Sequence, residues 1–237
     1  MNTLRILHVD DEPDNREVVE ASLMLDPHFF VRSCGSGEEA VAMAPHWRPD
    51  LILCDVMMPV MDGPATLARL RESPNTAATP IIFMTARAQS RELEHFKSLG
   101  AAGVIAKPFD PVTLCAQVRD HFFAASLAKQ TGAFDDRLRA NASTLGQLRT
   151  RLRDDPGAGA TLAELETCAH KLAGAAGIFG RQAVSKAARE LEESIIEQHA
   201  VRRPTPGKVE RDLDALLGRI TSALGGPNTE VARDHVN

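Results

Sequence analysis

Five short apolar runs, each followed by a segment of helical period, constrain this chain more than any other feature. The runs are "LRILHV" (4–9), "FFVRSC" (29–34), "DLILCDV" (50–56), "PIIFMTA" (80–86) and "AGVIAKP" (102–108). The segments between and after them, 12–25, 36–44, 64–72, 91–99 and 110–125, carry apolar residues at steps of three and four. Pro13 suits a first helical turn. "LILC" and "IIFM" are apolar at every position, as strands covered on both faces must be. The expected architecture for residues 1–125 is α/β: a five-stranded, doubly wound parallel sheet with helices on both faces.

The strand signal then stops. Beyond residue 134 the period is helical throughout and predicts four helices. The first carries Leu138, Leu145, Leu148 and Leu152. The second starts near Thr161, with Glu164 placed three residues on for a capping box. The third carries Val184, Ala188, Leu191 and Ile195, and the fourth, after the breaker "RRPTPG", carries Val209, Leu213, Leu216 and Ile220. Four amphipathic helices with short connections predict an all-α four-helix bundle. The expected boundaries are 1–125 for the first domain, a polar link at 126–133, the bundle at 134–224 and a disordered tail at 225–237. A length of 237 residues fits two domains of ordinary size.

In an open α/β sheet, ligands bind at the carboxyl ends of the strands. Those ends carry Asp10 and Asp11 after the first strand, Asp55 on the third, Thr85 on the fourth and Lys107 on the fifth. Three carboxylates brought together repel and call for a cation, and oxygen-only donors favour Mg²⁺ over zinc. A lysine and a hydroxyl facing them suit a phosphoryl group, and an aspartate held beside the cation can act as the nucleophile that accepts it. The formal net charge of −5 argues against nucleic-acid binding through bulk positive charge, and the second half has no concentrated basic helix. No stretch has the length of a membrane span, the N-terminal apolar run is too short for an export signal, and the four cysteines lack metal-ligand spacing. The expectation is a cytoplasmic chain with no membrane insertion and with reduced, buried thiols.

"VDDEP" (9–13), "LCDVMMPVMDG" (53–63), "MTA" (84–86) and "AKPF" (106–109) together resemble the receiver domain of two-component response regulators over residues 4–124. The resemblance implies Asp55 as the phosphoacceptor, Asp10 and Asp11 as the acidic Mg²⁺ pair, and the Met57 backbone carbonyl as a further metal ligand. It also implies Thr85 as the switch hydroxyl and Lys107 as the lysine that binds the phosphoryl group. Val104 departs from the pattern, which has an aromatic residue three positions before the lysine.

"CAHKLAGAAGIFG" (168–180) sets two glycines inside a helical period, although each costs about 1 kcal/mol relative to alanine. Ala173, Gly174 and Gly177 stand three, four and seven residues after His170, so small side chains would clear the ring for a docking partner. Close helix packing would also select small residues, and from the residues alone the two explanations balance. The segment resembles the phosphohistidine helix of histidine phosphotransfer domains, which are four-helix bundles. That resemblance implies His170 as phosphoacceptor and Gly174 as the clearing glycine. Ala173 stands where many members have lysine, and Lys171 could supply the charge.

The expected function is a two-component phosphorelay protein that carries phosphoryl groups on Asp55 and His170. It would be a phosphocarrier rather than an ATP-using enzyme, since no P-loop or set of nucleotide-binding boxes is present. Its partners would be a sensor histidine kinase and separate receiver or phosphotransfer proteins. Two alternatives are a phosphorylation-gated binding module whose histidine is unused and a metal-dependent phosphohydrolase. The short loops after Asp11 and Asp55, which would not enclose a small substrate, weigh against the phosphohydrolase.

Overall fold

The computed structural model describes residues 3–86, 89–155, 158–200 and 207–225. Residues up to Ala128 form one compact unit and those from Lys129 a second.

The first unit alternates strand and helix. Its strands are β1 (Leu4–Val9), β2 (Phe29–Cys34), β3 (Leu51–Asp55), β4 (Ile81–Thr85) and β5 (Gly103–Ala106). The helices between them are α1 (Pro13–Leu23), α2 (Gly37–Trp47), α3 (Gly63–Arg71) and α4 (Ser90–Ser98). All strands pair in parallel, in the order β2-β1-β3-β4-β5. β3 and β4 are buried at every position, which is why they read as unbroken apolar runs. Two hydrophobic clusters lie on the two faces of the sheet. Leu7, Ile52, Cys54 and Phe83 belong to one, and Ile6, Leu51, Leu53 and Met84 to the other, following the alternation of side chains along a strand. Gly103 opens β5 beneath the His121 imidazole, in a space that a Cβ would overlap. At the opposite end of the sheet from the strands' C-termini, buried Asp26 accepts from Arg119, with Arg119 Nε at 2.6 Å. Burial pushes the Asp26 carboxyl up, but the guanidinium bonds outweigh it and hold it below the usual carboxylate range.

Helix α5 runs unbroken over Pro111–Asp154. The polar link expected at 126–133 is therefore helix. Its sequence, "SLAKQTGA", contains no proline, and Gly132 is its only poor helix former. Packing at both ends anchors it. Leu114 and Val118 sit in the core of the first unit, and Phe134, Leu138, Leu145, Leu148 and Leu152 in that of the second. No side chain from 119 to 133 is buried, so apolar periodicity could not announce the helix there.

The second unit is a four-helix bundle made by α5 from residue 134 onward with α6 (Gly159–Ile178), α7 (Gln182–Ala200) and α8 (Lys208–Gly225). Phe134 stacks on Phe179 with ring centroids 4.5 Å apart. The capping box expected at Thr161 does not form. Helix α6 begins two residues earlier, Thr161 is buried inside it, and Glu164 pairs with Arg151 of α5 at 3.0 Å. The tail expected from residue 225 lies outside the described residues except for Gly225, the last residue of α8.

Candidate functional site

At the C-terminal edge of the sheet, three strands deliver charge to one point. Asp10 and Asp11 follow β1, Asp55 ends β3, and each offers a carboxylate oxygen within 4.8 Å of the others. Lys107, one residue past β5, donates from Nζ to Asp10 Oδ2 at 2.7 Å and to Asp55 Oδ1 at 2.9 Å. The backbone fixes this meeting. Lys107 N donates to the Thr85 carbonyl at 2.7 Å, so the ends of β4 and β5 are tied together. Asp10 is fully buried and its Oδ1 accepts from Glu12 N at 2.9 Å; Arg16 donates to the Asp10 and Asp11 carbonyls at 2.7 and 3.0 Å.

The loop from Asp55 to α3 returns tightly. Gly63 N donates to the Val56 carbonyl at 3.0 Å, and a Cβ on Gly63 would lie 2.6 Å from the Asp55 carbonyl oxygen, so only glycine allows this approach. Asp62 caps α3 by accepting from Ala65 N at 2.7 Å. At the loop tip Met61 N donates to the Pro59 carbonyl at 2.7 Å across Val60, whose φ is 66°. That is a γ-turn with positive central φ, a conformation that strains a β-branched residue by roughly 1–3 kcal/mol. The Val60 and Met57 side chains stand in solvent, 98% and 72% exposed.

Burial raises the Asp55 pKa above the usual carboxylate value, with Lys107 pulling in the opposite direction and Asp10 adding to the rise. For Lys107 burial works against the charge, yet its bonds to Asp10 and Asp55 prevail and its pKa is raised. Beneath the site, His8 of β1 is fully buried and neither ring nitrogen has a partner among the described residues. Burial lowers its pKa to about 4.

In the bundle, His170 lies on α6 with its side chain 76% exposed, and its Nδ1 meets Glu192 Oε1 of α7 at 2.9 Å. A Cβ at Gly174 would meet no atom within 4 Å, so this position opens to solvent one turn from the ring. The other small residues do not share that role. Ala173 is buried in the bundle core, where its carbonyl accepts from Ser185 Oγ at 2.7 Å, and a Cβ at Gly177 would rest 3.5 Å from the same oxygen. Small size there serves the α6–α7 contact. Lys171 is exposed beside His170. Sequence reasoning missed Glu192, which lies 22 residues away on another helix and meets His170 only once α6 and α7 pack.

Residues 6–119 match the response regulator receiver domain family, and residues 114–223 match the Hpt domain family. The two matches overlap within α5. Response regulator Rre1 of Synechocystis is 36% identical over 132 residues, 56% of this chain and 55% of that protein. Response regulator PleD of Caulobacter vibrioides is 38% identical over 115 residues, 48% of this chain and 25% of that one. The chain thus spans about half, or less, of the length of these curated relatives. Among solved structures, the receiver domain of sensor histidine kinase PA1611 from Pseudomonas aeruginosa, with a magnesium ion in its active-site cleft, is 32% identical with a TM-score of 0.46. That match covers 51% of this chain and 98% of that one. The two family matches define the class as that of two-component signalling proteins. Within it, this chain carries a response regulator receiver domain over residues 6–119 followed by an Hpt domain over residues 114–223.

Proposed function

We propose that the protein relays phosphoryl groups, accepting one on Asp55 of the receiver and carrying one on His170 of the bundle. The observation that carries this reading is the convergence of Asp10, Asp11, Asp55 and Lys107 from three separate strands. A surface cluster of acids needs no half-buried lysine tied to two of them.

Asp55 Oδ2 attacks phosphorus while Oδ1 accepts from Lys107. The donor's P–N bond breaks, an acyl phosphate forms, and the donor imidazole leaves with the electron pair. Burial, by raising the Asp55 pKa, makes the carboxylate a better nucleophile. Lys107 neutralises the incoming phosphoryl oxygens, and the Thr85 hydroxyl donates to one of them. The oxygen donors of Asp10, Asp11 and Asp55 fit Mg²⁺, with the Met57 carbonyl as a further ligand on the receiver pattern, and the ion when bound would offset the phosphoryl charge. At the second centre, Nδ1–H donates to Glu192, so Nε2 carries the lone pair that attacks phosphorus. Lys171 attracts the acidic partner and open Gly174 leaves room for it.

The proposed domains are a receiver over 1–125 and a phosphotransfer bundle over 134–224, joined by the helical stretch between. The partners are a sensor histidine kinase and separate receiver or phosphotransfer proteins, with no nucleic acid, in the cytoplasm. No helix of the described residues is long and apolar enough to cross a membrane.

The test incubates the full chain with acetyl phosphate and Mg²⁺. The expected product is an acid-stable, base-labile phosphate that Asp55→Asn abolishes and excess chelator suppresses. Undiminished labelling of the Asp55→Asn chain would refute the assignment.

A further inference from the structure

Of the three carboxylates at the sheet edge, Asp11 is the one that no side-chain bond holds. Asp10 Oδ2 accepts from Lys107 and its Oδ1 from Glu12 N, and Asp55 Oδ1 accepts from Lys107. The half-buried Asp11 carboxylate makes no hydrogen bond or ion pair among the described residues, yet one of its oxygens lies within 4.8 Å of the other two acids. Its direction is therefore set through the backbone.

The β1–β2 ladder ends just before it. Asp10 N donates to the Cys34 carbonyl at 3.2 Å, but β2 then turns away: Gly35 N donates to Glu39 Oε2 at 2.8 Å, and Ser36 Oγ accepts from Glu39 N at 3.2 Å to cap α2. The Asp10 and Asp11 carbonyls are left with no neighbouring strand to donate to them. Arg16 supplies both bonds from one nitrogen, Nη1, at 2.7 and 3.0 Å. Its guanidinium lies against Gly35, where a Cβ would stand 3.5 Å from that nitrogen, and so it fills the space between the β1–α1 and β2–α2 loops. The position is otherwise poor for a cation. Arg16 belongs to the first turn of α1, where its N donates to the Glu12 carbonyl at 3.2 Å and the helix dipole repels positive charge. Because each peptide unit is planar, holding two consecutive carbonyls fixes the two planes that flank Asp11, and with them the direction in which its Cβ projects.

Building on the proposed phosphoryl chemistry, in which these oxygens hold Mg²⁺, we propose that Arg16 is a positioning residue for that ion. Its grip on two carbonyls aims the Asp11 carboxylate at Asp10 and Asp55 and thereby sets how tightly the site binds Mg²⁺. Charge alone predicts the reverse. A guanidinium behind two acids repels a dication, so its removal would tighten binding if only Coulomb attraction mattered. Weaker binding after loss of this cation is the mark of lost geometry.

The test titrates the ¹⁵N-labelled full chain with MgCl₂, without phosphodonor, and follows the amide shifts of Asp10, Asp11 and Asp55. Arg16→Met, which keeps an apolar stem and removes the donors, should weaken Mg²⁺ binding about tenfold. Arg16→Lys, which keeps the charge without the planar fork, should fall between that variant and the wild type. Hydrogen exchange in β1 and α1 checks the fold of each, and the lysine variant carries the test if the methionine variant unfolds. In an Asp11→Asn background, Arg16→Met should weaken binding by no more than about twofold; a further full tenfold loss would overturn the path through Asp11. Unchanged or tighter binding in a folded Arg16 variant would overturn the proposal. Labelling by acetyl phosphate separates it from the function it rests on: Arg16→Met should come within about twofold of the wild-type rate once Mg²⁺ saturates. A saturated rate that stays low with Mg²⁺ affinity unchanged would overturn the role of Arg16 alone. A wild-type chain that binds Mg²⁺ but takes no label would refute Asp55 as acceptor and leave the role of Arg16 standing, and one that binds no Mg²⁺ would overturn both.

Discussion

The Asp55 side chain is 11% exposed and held within a frame of strand ends, whereas the His170 side chain is 76% exposed and rests on one neighbour. The difference matches the chemistry that the proposed function asks of each side chain. A carboxylate that accepts a phosphoryl group gathers negative charge and needs fixed positive charge in a dry setting, which only a folded sheet edge supplies. A neutral imidazole gathers positive charge as it reacts, which water and one carboxylate can steady, and its chief need is access.

Replacing Lys107 should break the enclosed site most severely. Lys107→Ala leaves Asp10 and Asp55 facing one another without their shared cation, and phosphate incorporation at Asp55 should fall about 10²–10³-fold, measured by initial rates with acetyl phosphate. A fall of less than threefold would mean the half-buried amine is structural.

The second prediction concerns acid. The folded His8 pKa of about 4 lies below the ordinary 6.5, so between those values the unfolded chain holds a proton that the folded receiver does not. Receiver stability should therefore fall by about 3 kcal/mol as pH drops from 6.5 to 4 through this residue alone. His8→Leu should flatten that limb, and segment-resolved hydrogen exchange should find the bundle unaffected by the substitution.

Gly174→Leu sharpens the contrast from the exposed side. The bundle should gain roughly 0.5–1 kcal/mol in thermal unfolding, while transfer to His170 should slow about thirtyfold because the partner can no longer approach closely. Slower transfer with lower stability would point instead to damage of the helix. The smallest effect is expected at Glu192, a positioning residue. Glu192→Ala should slow transfer about fivefold, as one exposed hydrogen bond is worth ~1 kcal/mol. Glu192→Gln should partly restore the rate, and the ¹⁵N spectrum of His170 should lose its Nδ1–H tautomer preference in the alanine variant alone.

Residues fixed by strand topology were legible in the sequence. Asp10, Asp11, Asp55 and Lys107 each follow an apolar run, and parallel pairing brings such run ends together whatever lies between them. Residues fixed by packing between helices were not. Glu192 meets His170 through the register of α6 on α7, and Ala173 turns inward to the Ser185 hydroxyl although spacing along one helix places it near the ring. The continuity of α5 across 126–133 escaped for a third reason: no side chain there is buried, and order is imposed by the anchored turns on either side.

That same helix decides how the protein can be taken apart. A receiver fragment has to run past Phe122, which packs on the sheet core, and a bundle fragment has to begin no later than Phe134, which stacks on Phe179. Between them lie eleven residues, 123–133, where scissors would cut through helix but through no buried side chain. The boundary between the halves is a stretch of backbone rather than a point, and both family matches run into this one helix because each half needs part of it to be whole.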